Sequence, residues 1–206
     1  FPEVELESIG ESEAMAAVVE QYLRCFGPAC ESDIAWWTGF GKSEVRRALA
    51  SLGSRVIQVG LGVDRRPALL LREDLEEIDA AHPPESVLVS LLPLLDGYLM
   101  GYRERDRYLR PEHRNFVFDR GGNVTSTVLV NGAIVGVRDW EQEPRPAVKV
   151  HYLERVSREA RARIEGEARR IGRFLSGHDV EFLLAESMAA LDTRSAGGFQ
   201  SPLKRV

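Results

Sequence analysis

Cysteine is scarce in this chain. Cys25 and Cys30 are the two among 206 residues. A disulfide-built fold is thereby excluded, and with Cys25 on the apolar face of a predicted helix the pair reads as free thiols in a reducing cytosol. The four histidines, His82, His113, His151 and His178, are scattered, with no i, i+4 pair and no Cys/His cluster, so no metal is expected. No apolar run is long enough to span a bilayer. No basic stretch followed by an apolar one opens the chain, which begins FPEVEL without Met and reads as starting mid-protein. There is no Ser/His/Asp order, no glycine-rich phosphate loop ahead of a helix, and no carboxylate pair fixed by helical spacing in an apolar setting. The expectation is a cytoplasmic protein without metal, cofactor or membrane segment, and without catalytic residues of these kinds.

What is present is an ordinary globular composition, 44% hydrophobic and 29% charged, with apolar residues enough for a real core in one large or two small domains. The net charge of −5 argues against indiscriminate coating of nucleic acid, yet the charge is unevenly placed. Residues 1–40 carry net −7, 41–72 carry +5, 73–93 carry −6 and 94–206 carry +3. A basic island between acidic flanks is a local footprint for an anion.

Along the chain, 14–26 (AMAAVVEQYLRCF) spaces Met15, Val18, Val19, Tyr22, Leu23 and Phe26 as one buried face of a helix, with Ser12 as N-cap and Gly27-Pro28 as stop. Residues 31–39 read as a short second helix with Ile34 and Trp37 on its core side and Trp36 half exposed. Residues 42–53 read as a third, with Val45, Leu49 and Leu52 buried and Lys42, Arg46 and Arg47 on the other faces. Two β-type runs follow, 55–63 and 66–72, joined through Asp64, Arg65, Arg66 and Pro67. Three short helices, a tight glycine turn between the last two, then a hairpin with arginines at its tip form the winged-helix pattern. In that pattern the third helix suits the major groove and the hairpin suits the DNA backbone or minor groove. Lys42, Arg46, Arg47, Arg65 and Arg66 are the candidate DNA contacts; the alternative for each is a solvated surface.

Beyond an acidic helix and the His82-Pro83-Pro84 break, 86–95 reads as a buried strand and 96–109 as a loop with helical turns. The run 118–136, FDRGGNVTSTVLVNGAIVG, reads as strand, turn, strand, turn, strand. Asn131-Gly132 is a strong type I′ hairpin signal, and Val124, Val128 and Val130 are placed on one packed face of a small barrel. Its tip either contacts DNA or closes the barrel; lacking a base, it favours closure. Residues 145–156 give another strand. Ser157 caps a long helix with Ile164, Ala168, Ile171 and Leu175 on one side, and a last helix is predicted over 179–191. The expected organisation is α+β: a winged-helix unit at 1–82, a β-rich barrel-like unit at 83–156, C-terminal helices at 157–192 and a flexible tail at 193–206.

Four stretches resemble one family: YLRCFGPACESDIAWWTGFGKSEVRRALASL at 22–52, LLPLLDGYLMGYRERDRYL at 91–109, FDRGGNVTSTVLVNGAIVGVRDW at 118–140 and EGEARRIGRFLSG at 165–177. Their order is that of the winged-helix DNA glycosylases of the AlkZ/YcaQ type. The resemblance implies tandem winged-helix units with a barrel-like part, binding of double-stranded DNA, and hydrolysis of the bond between sugar and alkylated base, which requires access to a stacked base. It also implies a catalytic pair of polar residues, usually glutamines, one residue apart near the N-terminus. Gln21, Gln58, Gln142 and Gln200 contain no such pair, so the chain resembles the C-terminal part of such a protein, with the pair expected ahead of Phe1, and no catalytic residue is carried over. Ser126-Thr127 stands where Pro-Thr is usual. Asp96, Tyr98, Tyr102 and Arg103, within the 91–109 motif, form a possible polar site, or else a helix cap and core-filling rings. A non-catalytic winged-helix transcription regulator, or a protein-interaction winged helix, is the rival reading.

Overall fold

The structure is a computed structural model and describes residues 9–62, 64–142 and 145–191. Two compact units divide the chain. One comprises the residues up to His82 together with the segment Gly101–Glu104, and the other the remainder.

In the first unit, α1 (Glu11–Phe26) buries Ala16, Val19, Tyr22 and Leu23, the 3-and-4 spacing of one helix face. Its N-cap is Gly10 rather than Ser12, which falls inside the first turn. Cys25 is exposed, not on the buried face, and neither cysteine is bonded to another. α2 (Glu31–Thr38) begins where the Asp33 carboxylate turns back to accept the Cys30 N–H at 3.0 Å, and ends on Gly39 at φ 74°. α3 (Lys42–Leu52) starts in the same way, with Glu44 accepting the Gly41 N–H at 2.6 Å. Its buried residues are Val45, Ala48 and Leu52; Leu49 is half-buried. β1 (Val56–Leu61) and β2 (Arg66–Leu71) pair antiparallel, Val56 opposite Leu71. Ala29 adds a bridge to Leu69 through reciprocal hydrogen bonds of 3.0 and 2.8 Å. Buried Ala68, Leu70 and Leu71 and the helical face residues make the core. α4 (Leu75–Ala80) follows.

The segment Gly101–Glu104 is held in this unit by defined bonds. The Tyr22 hydroxyl donates to the Gly101 carbonyl (2.8 Å), and the Tyr102 hydroxyl to the Phe26 carbonyl (2.9 Å). The N–H groups of Arg103 and Glu104 both donate to Asp33 Oδ1 at 2.9 Å. Trp37 stacks near Tyr22 and Phe26 (5.4 and 5.9 Å) yet stays 46% exposed, as Trp36 does at 43%. Trp37 is therefore a rim residue, not the core residue its spacing with Ile34 predicts.

The second unit is an α+β sandwich. Its sheet runs β3-β4-β5-β6-β7 in space, from β3 (Val89–Leu92), β4 (Thr127–Val130), β5 (Ala133–Glu141), β6 (Ala147–Tyr152) and β7 (Glu181–Leu184). The first four pair antiparallel, and β7 lies parallel to β6. The short helices α5 (Gly97–Met100) and α6 (Arg114–Val117) lie between β3 and β4. α7 (Arg158–Ser176) supplies the crossover that a parallel pair needs. Ser157 Oγ accepts its Ala160 N–H (3.1 Å) and Gly177 closes it at φ 75°. Leu91, Val128, Val148, Val150, Ile164, Ala168 and Val180 form one core cluster.

Five expectations are corrected here. The helix predicted over 179–191 contains the strand β7: its apolar run Val180, Phe182, Leu183 and Leu184 is too short to tell a buried strand from a helix by periodicity. The barrel is an open sheet, with β3 and β7 unjoined to each other among the described residues. The first of three strands in the 118–136 run is only a single Phe118–Val124 bridge just after α6, and the further partner of β4 is β3. β4 is buried on both faces, since Thr127, Val128 and Leu129 are all buried, with a bulge between Val128 and Leu129. On α7 the buried row is Ala160, Ile164, Ala168 and Gly172, while Leu175 is exposed. The tail at 193–206 lies outside the described residues.

Candidate nucleic-acid interface

Lys42, Arg46 and Arg47 occupy the exposed side of α3, because Val45, Ala48 and Leu52 turn the opposite side into the core. Lys42 and Arg46 line an open groove of about 370 Å³ whose other walls are Cys30, Glu31 and Ser32 at the start of α2, and Gln58 and Pro67 on the hairpin. Arg46 Nε reaches Glu31 Oε2 at 3.1 Å, with the two side chains 67% and 43% exposed. Among the described residues, Lys42, Arg47 and Arg65 form no ion pair. Arg47 and the hairpin arginines do not line the groove.

The hairpin turn explains the position of Arg65. Gly62 sits at φ 73°, Arg65 at φ 48°, and the Arg65 N–H donates to the Gly62 carbonyl at 3.2 Å. Positive φ at a long side chain is uncommon, and it leaves Arg65 at the exposed tip, with Arg66 beginning β2 opposite Leu61.

Asp96, Tyr98, Tyr102 and Arg103 fall into different units. Asp96 Oδ1 accepts the N–H groups of Tyr98 (3.0 Å) and Leu99 (3.2 Å), starting α5. The Tyr98 ring lies 5.7 Å from that of Tyr108, and the buried Tyr102 binds the Phe26 carbonyl. Arg103 is an exposed side chain on a backbone fixed by Asp33. Asp96 is thus a cap and Tyr102 a core residue.

Asp33, fully buried and accepting three backbone N–H groups, escaped the sequence reading. Its local signal is the carboxylate three residues after Cys30, but its long-range partners leave no pattern. Arg105 and Arg138 were missed too. Arg105 sits 3.6 Å over the Phe118 ring and donates to the Gly122 carbonyl (3.1 Å), while Arg138 donates to the Leu92 carbonyl (3.2 Å). Burial pushes both guanidinium pKa values down; for Arg138, neighbouring Asp139 works against the shift. At the hairpin tip, Asn131 and Gly132 take φ 49° and 81°. The Asn131 N–H and Oδ1 bond the Leu88 carbonyl and N–H, each at 2.9 Å, so the tip ties down the approach to β3.

Among the described residues no group of His, Cys, Asp or Glu could hold a metal ion, and no helix is long and apolar enough to cross a membrane. What this surface can do is neutralise and hold an anion along α3 and the hairpin.

The chain is similar to known proteins over most of its length. It is 32% identical over 133 residues to an interstrand DNA cross-link repair glycosylase of Streptomyces sahachiroi, a match covering 63% of this chain and 34% of that protein. The solved structure of the Streptomyces sahachiroi DNA glycosylase AlkZ superimposes with a TM-score of 0.73 at 25% identity, over 86% of this chain and 47% of that one. The chain thus spans less than half the length of either. The family described as DNA glycosylase AlkZ-like matches residues 1–174, and the chain belongs to it.

Proposed function

We propose that this chain is the DNA-binding part of a DNA glycosylase that excises alkylated bases. In this reading α1, α2, α3 and the β1–β2 hairpin form a winged helix-turn-helix on double-stranded DNA. The observation that carries it is the joint placement of Lys42 and Arg46 in one open groove, in a chain whose family is that of DNA glycosylases. Lys42, Arg46 and Arg47 neutralise backbone phosphates, and Arg65 and Arg66 extend the contact along the hairpin. Phosphate contacts of this kind hold register and orientation without reading sequence. The base–sugar bond is broken elsewhere, because none of Gln21, Gln58, Gln142 and Gln200 has a second glutamine one residue away. A cytoplasmic site of action is part of this reading.

Fluorescence anisotropy with a labelled duplex, across a series of KCl concentrations, tests this. Replacing Arg46 and Arg47 by alanine is expected to weaken binding roughly tenfold or more at low salt and to flatten the log–log salt slope by about two, one per lost phosphate contact. Unchanged affinity in that variant would sink the assignment.

A further inference from the structure

Glu31 is the acid in a groove whose other charged lining residues are the cations Lys42 and Arg46. It shares the wall with Lys42 and Arg46, and its Oε2 accepts from Arg46 Nε at 3.1 Å across fifteen residues of sequence. A carboxylate presents paired oxygens to a guanidinium much as a phosphodiester does. The Arg46 side chain is 67% exposed and that of Glu31 43%, and an ion pair this open to solvent is weak enough for a competing anion to displace.

We propose that Glu31 is an intramolecular stand-in for a backbone phosphate: it holds Arg46 in the groove of the free protein and gives way when a phosphodiester of bound DNA takes its place. The inference rests on the DNA-binding reading above and adds a control on that site. Glu31 then limits affinity in two ways. It competes for Arg46, and once displaced it stays beside the phosphate as an unpaired anion. The freed carboxylate takes up a cation from solution, offsetting one of the counterions released from the DNA, so the wild-type salt slope is shallower than the number of cationic contacts implies.

The test is duplex binding by anisotropy for wild type, E31Q, R46Q and the E31Q/R46Q double variant. E77Q, an exposed acid on α4 outside the groove, controls for net charge. E31Q is expected to bind about fivefold more tightly at low salt with a slope steeper by about one. In the R46Q background the same change is expected to be worth less than about twofold, and E77Q alone likewise, because only the first loses its competitor for Arg46. Thermal melts of each protein establish that the fold is kept. Wild-type affinity in E31Q, or equal tightening with and without Arg46, would overturn this proposal alone, provided the Arg46/Arg47 alanine variant still weakens binding. No duplex binding by any of these proteins would overturn the DNA-binding reading and the proposal with it.

Discussion

Asp33 shows how one side chain can hold a segment distant in sequence. Its carboxylate is fully buried, with Oδ2 on the Cys30 N–H and Oδ1 on the N–H groups of Arg103 and Glu104. Removing it strands three part-buried backbone donors at once, and donors bonded to a charged acceptor are the expensive ones to strand. Asp33→Ala is expected to destabilise the first unit by about 3 kcal/mol or more. Asp33→Asn, which keeps one acceptor oxygen but turns an N–H toward a donor, is expected to cost roughly 1–2 kcal/mol. Urea unfolding followed by the fluorescence of Trp36 and Trp37, in a background where Trp140 is phenylalanine, reports this unit. Hydrogen exchange at the Arg103 and Glu104 amides should rise in step. An alanine variant within about 1 kcal/mol of wild type would mean that water or a neighbour replaces the carboxylate.

At the scale of elements, α7 meets Val180, the residue leading into β7, through a glycine. A Cβ built on Gly172 would clash with Val180 Cγ2, far closer than any real contact, and Val180 is a stiff buried core member. Two effects oppose each other in Gly172→Ala. Alanine favours the helix by about 1 kcal/mol, and overpacking a filled site costs about 1–3 kcal/mol. Overpacking should win, giving a net loss of up to about 2 kcal/mol. In a Val180→Ala background the clash is gone, and the same change should be neutral or stabilising. A double-mutant cycle from denaturant unfolding measures the coupling; additive effects would show that the helix does not press on β7. The same junction marks where the sequence stops being readable. α1, α3 and α7 were legible because each runs eleven residues or more with apolar side chains three and four apart. β7 was not, because four residues flanked by nothing periodic look alike in either state, and its parallel partner β6 lies about thirty residues away with α7 between. The hairpin Asn131-Gly132 was legible from the chemistry of its turn. In the candidate interface, the cations on α3 could be placed from helical spacing, whereas the Glu31–Arg46 pair depends on how α2 and α3 pack and leaves no trace in the order of residues.

For the whole molecule, net charge misleads and its distribution informs. A chain of net −5 carries +5 within residues 41–72, where α3 and the hairpin arginines lie, so binding to DNA should be local and steeply salt-dependent rather than diffuse. Binding and chemistry should also separate. Hydrolysis of a base–sugar bond needs a water held against the sugar by groups of fixed geometry. The resemblance assigns that task to polar residues one apart, and these 206 residues contain no glutamine pair so spaced. On a duplex treated with a methylating agent, this chain is expected to bind yet leave free-base release at the spontaneous rate. A longer protein of the family that carries such a pair ahead of this region is expected to release base from the same duplex. Replacing both glutamines by alanine should return release to the spontaneous rate, while duplex affinity, read by anisotropy, should change less than about threefold, because the proposed phosphate contacts lie on α3 and the hairpin. Chromatographic detection of the free base decides the matter: release by the present chain above background would put the chemistry among its own residues and overturn this division of labour.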